Sequence, residues 1–258
     1  MAEIAEILRY REFLYNLVLR DLKVRYRNSF LGFVWSLLNP LLMMAVFTVV
    51  FGILLQNSRP NFPIFLLVAL LPWNFATSSV VGSVHSIVGN AHLIKKVYFP
   101  REILPISLVL SNLVNFALAL PVLFLLMMIF GMPITYYALL LPVVILIQTI
   151  FLIGLAFLLS CLNVFFRDTE VIVDVLVLAW FFLSPIFYNM DELSARWAGV
   201  LYWINPMASL ISTYRIILYD HARPDPLFVA RTFATALAFL VVGYLVFRRY
   251  APSFGEEV

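Results

Sequence analysis

The sequence predicts an all-α integral membrane protein: six transmembrane helices, an N-terminal amphipathic interface helix, and short re-entrant outer helices between spans five and six. Three observations carry this. Only 12% of the 258 residues are charged, about half the ~25% of a water-soluble domain. Hydrophobic residues make up 64% and mean hydropathy is +1.00, more apolar surface than one globular core absorbs, so the solvent is lipid. Lastly, uncharged runs long enough to cross a bilayer alternate with short segments rich in Lys and Arg.

The elements follow in order. Residues 6–27 wind into a helix with Ile7, Leu14, Tyr15, Val18, Leu22 and Tyr26 on one side and Arg9, Glu12, Arg20, Lys23 and Arg27 opposite, which suits a helix lying flat at the inner membrane surface. Arg11, Asp21 and Arg25 blur the pattern. This helix is either an anchor that sets topology or a cuff that touches a cytoplasmic partner or lipid phosphates. The start of the chain reads as no cleavable signal, because Glu and Arg interrupt any compact apolar core. Residues 31–55 form span one and 62–88 span two. The uncharged run from Ile103 to Phe166 is too long for one crossing; it breaks at FGMPITYY, where Gly131 and Pro133 disfavour helix, giving spans 103–130 and 138–163. A fifth span covers 171–188 and a sixth 227–247. Residues 190–219 contain two short apolar pieces, too short to cross, read as helices lying in or dipping into the outer leaflet. We read 1–258 as one domain.

Orientation follows from counting cations. With the N-terminus in the cytoplasm, Arg59, Arg196, Arg215, Arg223 and Arg231 lie outside and the rest of the 17 Lys and Arg lie inside, every Lys among them. That is the bias of the positive-inside rule and puts both termini in the cytoplasm. It also accounts for a pI of about 9.0 without nucleic acid.

Segment 89–102, GNAHLIKKVYFPRE, joins spans two and three on the inner face. Its Lys pair beside Tyr98-Phe99 reads either as interfacial aromatics with snorkelling lysines or as a short helix that plugs into a groove on a partner. Ser107, Ser111 and Asn115, with Asn112 beside them, form a polar stripe that reads as packing glue between helices. Glu170 and Asp174, next to Arg167, read as a group near the cytoplasmic end of span five that snorkels or pairs locally, with an ion-coupling site as the alternative. Phe47 and Phe51 are spaced i,i+4, and Trp180 and Phe187 i,i+7; such deep aromatics are either core or a surface on which the C–H faces of sugar rings stack.

The chain has no fuel site of its own to propose. It contains no Gly-Lys pair, hence no GxxxxGK[ST] phosphate loop, and no GxSxG, HExxH or CxxC. The single Cys161 and the scattered His85, His92 and His221 form no metal-ligand pattern. Three function classes remain: a permease driven by a separate ATPase, a passive channel or scaffold, and a membrane-embedded transferase. The last needs clustered carboxylates, and Asp191-Glu192, Asp220 and Asp225 are scattered.

Four stretches taken together, RDLKVRYRNSFLGFVWSLLNPLLMM (20–44), VFG (50–52), KKVYFPREILP (95–105) and YWINPMASLISTYR (202–215), resemble the permease subunits of bacterial ABC exporters of polysaccharides, which carry O-antigen, capsule or teichoic acid across the inner membrane. The likeness spans nearly the whole chain. It implies a homodimer with two copies of a cytoplasmic ABC ATPase docked beneath, membrane lipids around it and a lipid-linked polysaccharide as cargo. O-antigen is the favoured glycan; capsule, teichoic acid or a drug are the alternatives. ATP and Mg would be bound by the partner, with no cofactor in this chain. Segment 89–100 would be the coupling helix, with His92, Lys95, Lys96, Tyr98 and Phe99 at the ATPase contact. Helix 6–27 would frame the cytoplasmic entrance, where Arg20, Lys23, Arg25 and Arg27 would hold the lipid diphosphate. Spans one and five would line the conduit through Trp35, Phe47, Phe51, Trp180, Phe181 and Phe187, and the helices of 190–219 would form an outer gate.

Overall fold

The computed structural model describes residues 9–26, 34–54 and 59–257. Among them every regular element is helical. The interface helix α1 runs Arg11–Tyr26. Helix α2, Val34–Phe47, continues into a wider π-type turn over Thr48–Leu54. Then come α3 (Phe62–Val84), α4 (Ala91–Lys96), α5 (Ile103–Ile129), α6 (Leu141–Phe165) and α7 (Thr169–Leu183). They are followed by α8 (Ala195–Ile204), α9 (Pro206–Leu218), α10 (Pro226–Tyr250) and α11 (Phe254–Glu257).

Among the described residues, five helical stretches are long and apolar enough to cross a bilayer: Leu37–Leu54, Phe62–Val84, Ile103–Ile129, Tyr136–Phe165 and Pro226–Glu257. The fifth span expected at 171–188 is different. Helix α7 has 15 residues and stops at Leu183, about 22 Å at 1.5 Å per residue, short of the ~30 Å hydrocarbon core. The stop is written as Ser184-Pro185. A residue before proline is pushed out of the helical region, and Ser184 sits at φ −97, ψ 142. The predicted break near Gly131 is where the structure has it. Gly131, at φ 70, follows the end of α5; Met132 N–H bonds to Met127 O at 2.8 Å and Gly131 N–H to Met128 O at 3.1 Å. This glycine-terminated C-cap needs a left-handed residue. Met127 and Met132 are both buried beside it.

Helix α3 is the axis of the fold, with buried residues on all sides, and it packs on α2, α5, α6, α7 and α9. With no water to satisfy a polar group, hydrogen bonds between helices carry the register. Gln148 of α6 donates to Pro72 O of α3 at 2.8 Å and accepts from the Tyr214 hydroxyl of α9 at 2.9 Å. Asn163 of α6 donates to Val84 O at the end of α3, 2.8 Å. The expected glue, Ser107, Ser111, Asn112 and Asn115, is buried as predicted. Yet Ser107 bonds within its own helix, and both side-chain polar atoms of Asn112 lack a protein partner.

The closest helix pair is α6 and α10. A Cβ on Gly243 would stand 2.2 Å from Gly154 O, and one on Gly154 would stand 2.5 Å from the backbone carbon of Phe239. No side chain fits at either place, so two glycines let the backbones touch.

The interface helix sits in a different rotation from the predicted one. It packs on α5 and buries Leu17 and Val18, with Phe13 and Leu14 partly covered, whereas Tyr15 is 63% exposed. A helical wheel drawn for lipid alone misplaces the buried face, because the first surface this helix meets is protein.

Candidate conduit lining and cytoplasmic docking face

Five of the six aromatic residues proposed for the conduit converge. Phe187 stacks on Phe51 with centroids 4.6 Å apart and meets Phe47 edge-on at 4.9 Å and Phe181 at 5.1 Å. Phe47 lies 6.1 Å from Phe181. Trp73 of α3 ties in Trp180 and Phe181, at 5.3 and 5.5 Å. The wide turn of α2 carries Phe51, and such turns collect at functional positions. Trp35, three turns earlier on α2, is 46% exposed and belongs to no described ring pair of this cluster.

Beside the aromatics stands a polar hub. Asn205 caps α9, its Oδ1 accepting from Ala208 N–H at 3.3 Å and from the Trp180 indole N–H at 2.7 Å. Its amide donates to Leu183 O and to Ser184 Oγ, at 3.2 and 3.0 Å. The Asn-Pro pair is a local start signal, a capping side chain before a proline that needs no donor. Here it also fastens α9 to the end of α7.

Arg215 is the residue the sequence understated. It appeared only as one outside cation, yet it is 1% exposed. Its guanidinium donates to Ile186 O at 2.6 Å and Tyr188 O at 2.7 Å, so it satisfies backbone carbonyls of the non-helical stretch after α7. Its Cζ lies 3.6 Å from the Phe65 ring centroid, and Arg59 approaches the same ring at 4.3 Å. The Arg59 guanidinium pairs with Glu192. Burial lowers the Arg59 pKa from its ordinary value, with nearby Tyr219 and Asp220 opposing. Burial raises that of Asp220, with Arg215 pulling it back down. Arg59 and Arg215, two of the cations expected outside, are therefore built into the structure by a ring face, carbonyls and a carboxylate. Sequence gave one clue only, an arginine inside a short apolar helix.

The two short helices of 190–219 differ. Helix α9 is buried almost end to end. Helix α8 exposes Trp197, Trp203 and Ile204 at 61, 70 and 74%.

Helix α4 is a six-residue helix within the predicted 89–100 segment. His92, Lys95 and Lys96 are exposed and Tyr98 is 86% exposed. Phe99 turns inward, 6% exposed, edge-on to Phe13 of α1 at 5.0 Å. It joins the coupling segment to the interface helix and presents no surface. Arg20 does the same from the other end. Its Nη1 donates to Asn90 Oδ1 at 3.1 Å, while Nε and Nη2 hold Asp21 at 3.1 and 2.8 Å. Lys23 is exposed; the Arg25 side chain and Arg27 lie outside the described residues. Glu170 meets His85 Nε2 of α3 at 3.3 Å, a contact between helices where local pairing with Arg167 was expected. Among the described residues no group of three or more His, Cys, Asp or Glu could hold a metal ion.

Residues 12–219 match the ABC-2 type transporter family. The chain belongs to that family. It is 39% identical over 258 residues, 99% of this chain and 98% of the relative, to the O-antigen export system permease protein RfbA of Myxococcus xanthus. A protein of the same name from Klebsiella pneumoniae is 32% identical over 238 residues, covering 92% of this chain and 91% of the relative. The polysialic acid transport protein KpsM of Escherichia coli is 24% identical over 206 residues, covering 77% and 78%. Family membership and the apolar helices make this ABC-2 chain a multi-pass membrane protein.

Proposed function

We propose that this chain is the permease subunit of an ABC exporter of lipid-linked polysaccharide, with O-antigen as cargo, in the bacterial inner membrane. The observation that carries the reading is the aromatic cluster of Phe47, Phe51, Phe181 and Phe187, with Trp180 beside it, joining the first span to α7. Ring faces without charge offer C–H stacking to sugars and hold none of them tightly. End-to-end similarity to O-antigen export permeases supports the same cargo.

Two copies assemble around the conduit. In support, α2 and α7 turn large apolar side chains outward, among them Val46, Ile53, Val175, Leu178 and Phe182, each more than half exposed. Helix α7 and the Arg215-bound stretch after it together form the fifth of six crossings; non-helical backbone is tolerated at membrane depth only where its carbonyls are satisfied. Helices α8 and α9 form the outer gate, and the whole chain acts as one domain. Two copies of a cytoplasmic ATPase bind ATP and Mg and dock on α4 through His92, Lys95, Lys96 and Tyr98. This chain hydrolyses nothing and holds no cofactor. Both termini face the cytoplasm. Lys23, Arg25 and Arg27 hold the cargo diphosphate at the entrance; Arg20, already bonded to Asn90, orients them.

The test is reconstitution with the cognate ATPase in proteoliposomes. ATP-dependent movement of lipid-linked O-antigen into the lumen is expected, and Lys95→Glu with Lys96→Glu should abolish ATPase capture. Uphill transport by the chain alone, or undiminished capture by the double variant, would overturn the reading.

A further inference from the structure

The coupling helix cannot bear load by itself. Six residues span about 9 Å, far below the length at which a helix is stable without packing. Its N-terminus has no side-chain cap, and Val97 after it is extended. A push delivered to α4 moves the membrane helices only if something stiff stands behind it. Phe13 and Phe99 supply one support, toward α1.

The second support comes from the far end of the sequence. Helix α11 touches both α4 and α6. Phe254 is fully buried in the same apolar cluster as Ile87, Phe99 and Ile103, against which Leu93 and Ile94 of α4 pack. Its ring lies 5.2 Å from Phe247 of α10 and 6.3 Å from Phe165 at the end of α6. The next residue, Gly255, lies beside Arg101, whose Nη2 is 3.7 Å from the place a Cβ would take. Helix α11 thus braces the coupling segment at its helix and at its downstream flank.

We propose that Phe254 is a positioning residue for energy coupling: a strut that carries motion of α4 onto the inner ends of α6 and α10. Those two helices touch backbone to backbone at Gly154 and Gly243, so they take up the displacement as one body. The proposal rests on the permease reading above and adds where the force goes. Phe254 makes no part of the surface offered to the ATPase; Glu256 and Glu257 are exposed and it is not.

The experiment uses the full complex in proteoliposomes and reads glycan moved per ATP hydrolysed, with hydrogen exchange of the 91–97 amides as a second measurement. Phe254→Ala should assemble with the ATPase and hydrolyse ATP at wild-type level, yet move about fivefold less glycan per ATP. Phe254→Leu should lie between it and the wild type, and both should show faster exchange in α4. If the alanine variant fails to fold, the leucine variant alone decides. The proposal is overturned by an unchanged ratio of transport to hydrolysis, by loss of assembly and hydrolysis in step with transport, or by α4 exchange equal to wild type. Absence of ATPase binding by the wild-type chain is a separate failure, and sinks the permease reading with it.

Discussion

The two faces of this molecule solve opposite problems with the same residue types. Around α9, Arg215, Arg59 and Asn205 are engaged by the structure: carbonyls, ring faces and a helix end take up most of their donors. Around α4, the aromatics Phe13, Phe99 and Phe254 are consumed, and His92, Lys95 and Lys96 remain exposed. Charge is locked where the backbone departs from helix within the membrane-facing region. It is left free on α4, the proposed docking helix. A cation's side of the membrane therefore says less about its role than whether its donors are already spent.

That contrast breaks most sharply at Arg215. Arg215→Ala strips the carbonyls of Ile186 and Tyr188 of their donor and should destabilise the fold by about 2–6 kcal/mol, from about 1–3 for each buried carbonyl left unsatisfied. Thermal unfolding in detergent measures it. Lys95→Ala on the inner face should stay within about 0.5 kcal/mol, as exposed substitutions do, while weakening ATPase capture.

Next in size is the ring cluster. A double-mutant cycle on Phe51 and Phe187, each changed to Ala, should show a coupling of about 0.5–1.5 kcal/mol for the stacked pair. Export should fall more than stability does if those rings touch sugar, and equally if they are core alone. A cycle on Arg20 and Asn90 should show about 1 kcal/mol, the typical net value of a hydrogen bond. A coupling near zero there would return Arg20 to the diphosphate.

The smallest effect is in pH. A carboxyl whose folded pKa is raised stabilises the fold below its unfolded value, and that contribution fades as pH rises through the folded value. Burial raises Asp220 above 3.8, so melting temperature should decline as pH rises from about 3.8 through that raised value. Asp220→Asn should remove this component and leave the rest of the pH profile intact.

Much of the architecture was readable because lipid is an unforgiving solvent. Three uncharged runs, the break at Gly131 and the helix start at Asn205-Pro206 each follow from local chemistry: a missing charge, a residue allowed a positive φ, a side chain that caps. Span five was misjudged in length although Pro185 stood in view, since hydropathy counts apolar residues and ignores the backbone. The ring cluster was half readable; spacing suggested Phe47 with Phe51, but Phe187 joins them across chain distance.

What the sequence by itself determined is where some helices begin and end, which runs favour lipid, and that no phosphate loop is encoded, all properties of neighbouring residues. Only the tertiary structure decided which polar side chains are already occupied. Gln148 bridging Pro72 and Tyr214, Gly154 against Gly243, Arg215 on two carbonyls and Phe254 behind the coupling helix are each defined by an atom dozens of residues or more away. A hydrogen bond or a ring contact depends on a few ångströms of separation, and packing sets those ångströms.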